Sequence, residues 1–173
     1  MWIRDALPKA LPTIQVFLFS YDTNLVDSNS SKTIANFGSS LNNTLTASGF
    51  RTPASKPLIF VAHSLRGIIV KVALLALAGG NERAQQMLQQ TASAVLFGAP
   101  TRGMETQALM TMVRGQANES LVRDLIILSG YLKSLEDRFF DIAVAARMRL
   151  FWAFETKTSP TVAVSATLLQ PLA

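Results

Sequence analysis

The stretch that most constrains the fold runs from Leu58 to Ala78 and reads LIFVAHSLRGIIVKVALLALA. It opens with a continuous apolar run, Leu58–Ala62, of the kind found in a parallel strand covered on both faces. A serine follows two residues later, and Gly67–Ala78 then predicts an apolar helix interrupted only by Lys71. This helix is about half the roughly 20 residues that a membrane span needs, so we expect it to be buried in protein.

Strands and helices alternate on both sides of this stretch. The apolar spacing predicts helices at Trp2–Leu11, Ile34–Leu45, Asn81–Gln90 and Glu119–Arg149, and strands at Thr13–Ser20, Ala92–Phe97, Leu150–Phe154 and, more weakly, Val162–Val164. Such alternation is typical of an α/β domain with a mostly parallel sheet, right-handed crossovers and helices on both faces. The 173 residues suffice for one domain. A Rossmann-like binding domain is the alternative, but its G-x-G-x-x-G pattern is absent from the sequence.

The composition narrows the chemistry and the partners. The chain has one histidine, His63, and no cysteine, so we expect no thiol catalysis, no disulfide, no metal site and no cofactor. Its net charge of +5 comes from basic residues scattered singly along the chain, and we therefore expect no nucleic-acid partner. No stretch has the pattern of a transmembrane segment or a secretory signal, which makes an intracellular location the default.

Ser64 lies on the tight turn between the predicted strand and the predicted helix, which is the setting of a nucleophile elbow. In such a turn the backbone is strained and the hydroxyl projects from the carboxyl end of the sheet. The next amide, that of Leu65, can donate to an oxyanion at the helix N-terminus. The alternative is a serine that only caps the helix, since serine is a favoured N-cap residue.

The G-x-S-x-G frame of an elbow reads Ala62-His63-Ser64-Leu65-Arg66 in this chain, and Gly67 follows one place later. Arg66 therefore stands where the frame has its second glycine. It is either an anion-contacting group at the mouth of a pocket or a solvent-facing substitution. We favour the second, because Gly67 can preserve the close packing of strand and helix.

Residues 62–71, AHSLRGIIVK, resemble the GHSLGGLVVK segment of lipase-like α/β-hydrolase domains in the DUF676 and SERAC-type serine-active-site families. In fungi these domains often front larger signalling proteins. Further segments agree in order: Trp2–Pro8 resembles W-x-x-D-x-LP, Phe19–Thr23 a tyrosine-aspartate turn, Phe97–Gly103 the segment FGTPHRG, and Phe154–Lys157 a FYET-like turn. The resemblance implies an α/β-hydrolase-like fold, with residues 1–173 forming a single partial domain that is incomplete at both ends.

The resemblance also implies a catalytic triad of which two members are visible. In these families an HG-containing loop upstream supplies a second oxyanion donor, and the catalytic histidine lies beyond the last segment; this sequence contains neither. The chain order of serine, acid and histidine leaves Ser64 as nucleophile and Glu155 as acid, unless Glu155 is a surface carboxylate paired with Lys157. His63 is not expected to be the base, because the ring of the nucleophile's immediate neighbour projects away from the hydroxyl. Lys71 or Lys157 as the base of a serine–lysine pair is the remaining alternative.

Two functions are compatible with these residues. The first is ester hydrolysis by a lipase- or esterase-like serine hydrolase, through an acyl-enzyme on Ser64, with an acyl ester or lipid as substrate. Because the chain lacks the catalytic histidine of the triad, the chain alone is expected to be inactive. The second is a non-catalytic pseudoenzyme or an interaction module of a larger signalling protein. Strands missing from a partial domain would leave an open sheet edge for a partner protein. The resemblance adds the mitochondrion and the periphery of the endoplasmic reticulum membrane as candidate locations.

Overall fold

The computed structural model describes residues 5–21, 32–48 and 56–154. Its helices are α1 (Leu7–Ala10), α2 (Ile34–Ala47), α3 (Leu65–Ala78), α4 (Glu82–Gln89), α5 (Gln107–Val113), α6 (Glu119–Asp124) and α7 (Gly130–Ala145). Its strands are β1 (Leu58–His63), β2 (Thr91–Phe97) and β3 (Arg149–Ala153). Helices separate the successive strands, as the hydrophobic pattern predicts for an α/β domain.

The three strands form a parallel sheet in the order β1-β2-β3. They end almost level with one another, because His63 pairs with Phe97, and Phe97 pairs with Ala153. The loops that follow the three strands therefore lie along one edge of the sheet. This small parallel sheet confirms the α/β class at a coarse level.

Helix α3 lies at the centre of the core. Its residues Ile68 and Leu74 are completely buried, and α2, α4 and α7 all pack against it. The approach of α2 is especially close at Gly38, where a Cβ atom would come within 2.7 Å of Val72 Cγ1. The apolar helix predicted after the serine is thus the element on which the other helices pack.

One face of the sheet carries apolar side chains that the described residues leave exposed. Ile59 and Val61 of β1 are 54% and 55% exposed, and Phe151 of β3 is 53% exposed. In β1 these positions alternate with the buried Phe60 and Ala62. Right-handed crossovers between strands in sequential order run over the same face. For that reason the described residues do not supply the helical layer expected on the second face.

The prediction of a strand at Thr13–Ser20 is wrong. These residues form no regular secondary structure, and Leu18 is 74% exposed. β-branched and aromatic residues favour a strand where a neighbouring strand supplies hydrogen bonds and packing. None of the described strands pairs with this segment.

The long helix predicted over Glu119–Arg149 is two helices, α6 and α7, joined by a turn. In this turn Leu128 has a φ of +60°, which interrupts the helical backbone. Ser129 then caps α7 by accepting a hydrogen bond from the backbone N–H of Leu132 at 3.2 Å. Apolar spacing alone did not reveal the break, because both helices keep the same spacing.

The predicted elements at the two ends of the chain lie partly or wholly outside the described residues, and one helix of the structure was not predicted. Only the α1 part of the predicted helix Trp2–Leu11 is described, and Val162–Val164 lies outside the described residues. Helix α5 lies in a stretch for which no element was predicted. In the part of the chain that is described, none of the helices has both the length and the apolar character needed to cross a membrane.

Candidate active site

Ser64 occupies a strained turn between β1 and α3. Its φ of +54° and ψ of −133° lie in a region that L-residues rarely adopt, at a cost of about 1–3 kcal/mol. The turn is held because the Ser64 N–H donates to the Phe97 carbonyl at 2.8 Å and the Gly67 N–H donates to the Ser64 carbonyl at 2.9 Å. Strain of this kind persists only where the surroundings enforce it, and it clusters at functional sites.

The side chain of Ser64 does not cap the helix. Ser64 stands at the N-cap position of α3, but its hydroxyl makes no capping hydrogen bond. Ser129 shows the contrast, because its hydroxyl does cap α7 and its φ is −54°. The interpretation of Ser64 as an ordinary capping serine is therefore not supported, and the hydroxyl of this half-buried residue is left for another role.

The amide of Leu65 begins α3. The first N–H groups of a helix have no acceptor within the helix, and they carry the positive end of its dipole. An anion or a developing oxyanion beside Ser64 would meet such donors. This geometry suits the predicted role of Leu65 and leaves that role a prediction.

Gly67 brings the first turn of α3 against the loop after β2. A Cβ atom at position 67 would come within 2.6 Å of the Ala99 Cβ and 3.6 Å of Leu96 Cδ2. Close packing of helix and strand therefore depends on glycine at 67, one place later than in the G-x-S-x-G frame. This shift explains how Arg66 can occupy the position of the second glycine.

Arg66 is exposed but not simply solvent-facing. Its guanidinium lies 5.3 Å from the centroid of the Tyr21 ring, and that ring lies 4.4 Å from the ring of Phe37 on α2. Burial raises the pKa of Tyr21, and the charge of Arg66 partly opposes this shift. The buried Tyr21 hydroxyl has no hydrogen-bond partner among the described residues. Arg66 thus connects the elbow to the segment that precedes α2.

His63 ends β1 on the exposed face of the sheet. It continues the alternation of Ile59 and Val61, and its side chain is exposed. Successive side chains of a strand point to opposite faces, so the ring lies on the side of the sheet away from the buried Ala62. Its exclusion as the base of Ser64 remains a prediction.

The loop after β2 is held rigidly beside the elbow. The Gly98 N–H donates to the Ala153 carbonyl at 2.7 Å, which ties the loop to the end of β3. Further along, Gly103 has a φ of +87°, and a Cβ atom there would come within 2.4 Å of the Ile126 carbonyl oxygen. The Leu128 N–H donates to the Arg102 carbonyl at 3.1 Å. The two glycines allow this path, which any side chain would obstruct at Gly103.

Glu155 and Lys157 lie outside the described residues. The described part of β3 ends at Ala153, level with Phe97 and with the residue before Ser64. Neighbouring strands are about 4.8 Å apart, so the ends of β1 and β3 are separated by about 10 Å.

Lys71 has an environment that the sequence did not indicate. It is completely buried, forms an ion pair with Glu136 of α7, and its Nζ lies 4.4 Å from the Trp152 ring and 5.2 Å from the Phe139 ring. Burial lowers the pKa of Lys71, and the charge of Glu136 partly restores it. Lys71 also lies seven residues, or about 10 Å along the helix, beyond Ser64. Lys71 is thus wrong as a candidate base, because its ammonium group is held by α7 and β3.

The described residues offer no alternative centre for catalysis by a metal. Among them, no group of three or more His, Cys, Asp or Glu side chains is placed to hold a metal ion. A shallow groove lies between α3, α4 and α7, lined in part by Ala78, Leu88 and Ile142. It is at the far end of α3, about 20 Å along the helix from Ser64. The elbow is therefore the site with recognisable chemistry.

The chain is similar over most of its length to proteins named SERAC1. It is 26% identical to the mouse protein over 162 residues, which cover 90% of this chain and 24% of the mouse protein. It is 27% identical to the human protein over 148 residues, covering 82% of this chain and 22% of the human protein. The chain thus spans about a quarter of the length of these relatives. No family model and no solved structure matches it. Distant similarity to SERAC1 proteins across most of the chain is what the comparisons support.

Proposed function

We propose that this chain carries the nucleophile of a lipase- or esterase-like serine hydrolase, with Ser64 as the residue that is acylated. The observation that carries the proposal is the strained backbone of Ser64 together with a hydroxyl that does not cap α3. An enforced left-handed serine between a strand and a helix costs stability, and a capping role would not require it. The distant similarity to SERAC1 proteins over 90% of the chain is compatible with the proposal.

The chemistry would proceed in two steps. Ser64 Oγ attacks the carbonyl carbon of the ester, its proton passes to a base, and the carbonyl oxygen becomes an oxyanion near the Leu65 N–H. The alkoxide then leaves with that proton, and water releases the acid from the acyl-enzyme by the same path in reverse. The substrate class is an acyl ester or lipid.

The order of the strands supports the proposed acid. Glu155 follows β3 by two residues, and β3 lies two strand spacings, about 10 Å, from β1. That distance separates the strand backbones, and serine and carboxylate side chains extending toward each other from two such ends can both come within hydrogen-bonding distance of a single imidazole ring. Glu155 would then orient the base, and that base would be a histidine from sequence beyond these residues.

Chemical rescue tests this proposal directly. The purified, folded chain is treated with a fluorophosphonate probe, with and without high concentrations of imidazole, which supplies the missing base in solution. The phosphorus atom bonds to Ser64 Oγ, fluoride leaves, and the serine proton goes to imidazole. We expect labelling that depends on imidazole, is abolished by Ser64→Ala and is retained in the matched control Ser129→Ala.

A non-catalytic module is the second candidate function. It is favoured by the contact between Arg66 and Tyr21, which places a bulky cation in the position of the elbow's second glycine. The elbow would then be retained only because it allows α3 to pack closely at Gly67 against Ala99. Folded protein that is never labelled at Ser64, even in imidazole, would favour this candidate and contradict the hydrolase.

A further inference from the structure

Arg66 carries a positive charge that no carboxylate of the described residues neutralises. Neither of the ion pairs formed within the described part of the chain includes Arg66. Its side chain is exposed, and its guanidinium lies 5.3 Å from the centroid of the Tyr21 ring. The face of an aromatic ring attracts a cation but does not accept the fork of N–H donors that a guanidinium presents to a carboxylate or a phosphate. These donors therefore remain available to an anion.

The backbone beside Arg66 contributes further donors. At the start of α3 the Gly67 N–H donates to the Ser64 carbonyl at 2.9 Å, whereas the N–H groups of Leu65 and Arg66 have no acceptor among the described residues. The positive end of the helix dipole lies at these amides. The Leu65 N–H is the donor proposed above for the oxyanion, which leaves the Arg66 N–H and the guanidinium for a second negative group.

Tyr21 brings another polar group without a partner into the same region. Its hydroxyl is buried and has no hydrogen bond to any residue that the structure describes, which is unfavourable for a buried polar group. Burial raises the pKa of Tyr21, and the charge of Arg66 opposes this rise, so the hydroxyl lies within the electric field of the guanidinium. The Tyr21 hydroxyl thus joins the donors near Arg66 that lack an acceptor.

These donors lie beside the proposed nucleophile. Two residues of chain span at most about 7 Å, so the Cα atoms of Ser64 and Arg66 are no further apart than that. We propose that Arg66 is a specificity-determining residue, which binds an anionic group, a carboxylate or a phosphate, joined by a short chain to the ester carbonyl that Ser64 attacks. The inference rests on the proposed function and narrows its substrate class to anionic esters.

Paired probes test this selectivity. Two fluorophosphonates differ only at the end of a short alkyl group, which carries a carboxylate in one and a primary amide in the other. Labelling of the folded chain in imidazole is followed by intact-protein mass spectrometry. We expect the carboxylate probe to label Ser64 about tenfold faster at low salt, the effect of a charge-assisted hydrogen bond. Added salt should reduce this ratio, because it screens the exposed guanidinium.

The ratio of the two labelling rates is compared within each variant, so a general loss of reactivity does not change it. Arg66→Gln should lower the ratio to about one, because glutamine has neither the charge nor the fork of donors. Arg83→Gln is the matched control, since it removes the charge of another exposed arginine, on α4, and should keep the ratio of the parent chain. Labelling of Ser64 by both probes at equal rates, or a preference that persists in Arg66→Gln, would overturn the inference while the hydrolase stands.

Nuclear magnetic resonance separates the anion site from the chemistry. The isotope-labelled, folded chain is titrated with sodium phosphate and, separately, with sodium acetate, and the ion that saturates at the lower concentration identifies the class of anion. We expect saturable shifts of the Leu65 and Arg66 amides that are lost in Arg66→Gln and kept in Arg83→Gln. Such shifts in a chain that neither probe labels would support the anion site and contradict the hydrolase. The absence of saturable shifts with both ions would contradict the anion site, whatever the labelling shows.

Discussion

Replacing Ser64 by glycine should stabilise the protein, which is unusual for a residue in front of the central helix. The φ of +54° costs a serine about 1–3 kcal/mol and costs glycine almost nothing. Glycine adds entropy to the unfolded chain, which offsets about 0.5–1 kcal/mol of this gain. No capping hydrogen bond is lost. We therefore expect the free energy of unfolding to increase by about 1 kcal/mol.

Ser129→Gly is the matched control, because Ser129 also stands at an N-cap but has ordinary geometry. Its φ is −54°, and its hydroxyl accepts a hydrogen bond from the Leu132 N–H at 3.2 Å. Glycine there relieves no strain, weakens the cap by a few tenths of a kcal/mol and adds unfolded-state entropy, for a loss of about 1 kcal/mol.

Urea denaturation of the two variants and the parent chain measures this difference, which we expect to be about 2 kcal/mol between the variants. Thermal unfolding should show the same order, with about 2–4 °C for each kcal/mol in a chain of this size. Equal destabilisation by the two glycines would refute the claim that Ser64 is strained.

Three further predictions concern the packing around the elbow helix. Glu136→Gln removes the partner of the buried Lys71 and should lower the free energy of unfolding by about 2 kcal/mol, measured by urea denaturation. This is less than the roughly 3–5 kcal/mol lost when a fully buried ion pair is broken, because Glu136 is 36% exposed. Lys71→Met, which removes the buried charge itself, should cost much less. Burial lowers the pKa of Lys71 in the folded state, so the unfolded chain binds the ammonium proton of Lys71 more tightly than the folded chain does. Stability should therefore rise with pH between the lowered folded pKa and the unfolded pKa near 10.4. The urea midpoint measured as a function of pH should show this rise in the parent chain and not in Lys71→Met. Gly67→Ala places a Cβ atom 2.6 Å from that of Ala99 and should cost about 1–3 kcal/mol, and Ala99→Gly in the same chain should restore most of it in a double-mutant cycle.

The elements whose type was predicted correctly are those whose own residues suffice to specify them. The run from Leu58 to Ala62 has no polar interruption, and the helix after it is interrupted only by Lys71, so both are expected to pack in the core. The exposed Ile59 and Val61 show that the described residues cover only one face of the strand. The turn between them was recognisable from one serine and one displaced glycine. Glu155 was chosen by chain order, and its position relative to Ser64 stays a prediction.

The failures share a different cause. Thr13–Ser20 has strand-forming residues, but a strand needs a neighbour, and the described chain places none beside it. Glu119–Arg149 has one apolar spacing throughout, but the left-handed backbone at Leu128 and the cap at Ser129 divide it. Hydrogen-bond partners and single backbone angles are not expressed in hydrophobic spacing.

The sequence by itself determined that an apolar strand, a turn at Ser64 and an apolar helix follow one another, because the hydrophobicity of such runs favours their packing in the core. Only the tertiary structure decided that Ser64 is strained, that Lys71 is held by Glu136 and Trp152, and that Arg66 stacks on Tyr21. These features depend on contacts between residues far apart in the chain, such as the 2.8 Å hydrogen bond from the Ser64 N–H to the Phe97 carbonyl. Local sequence specifies which segments must be buried, whereas the partners that hold a side chain or a backbone angle are set by how those segments pack.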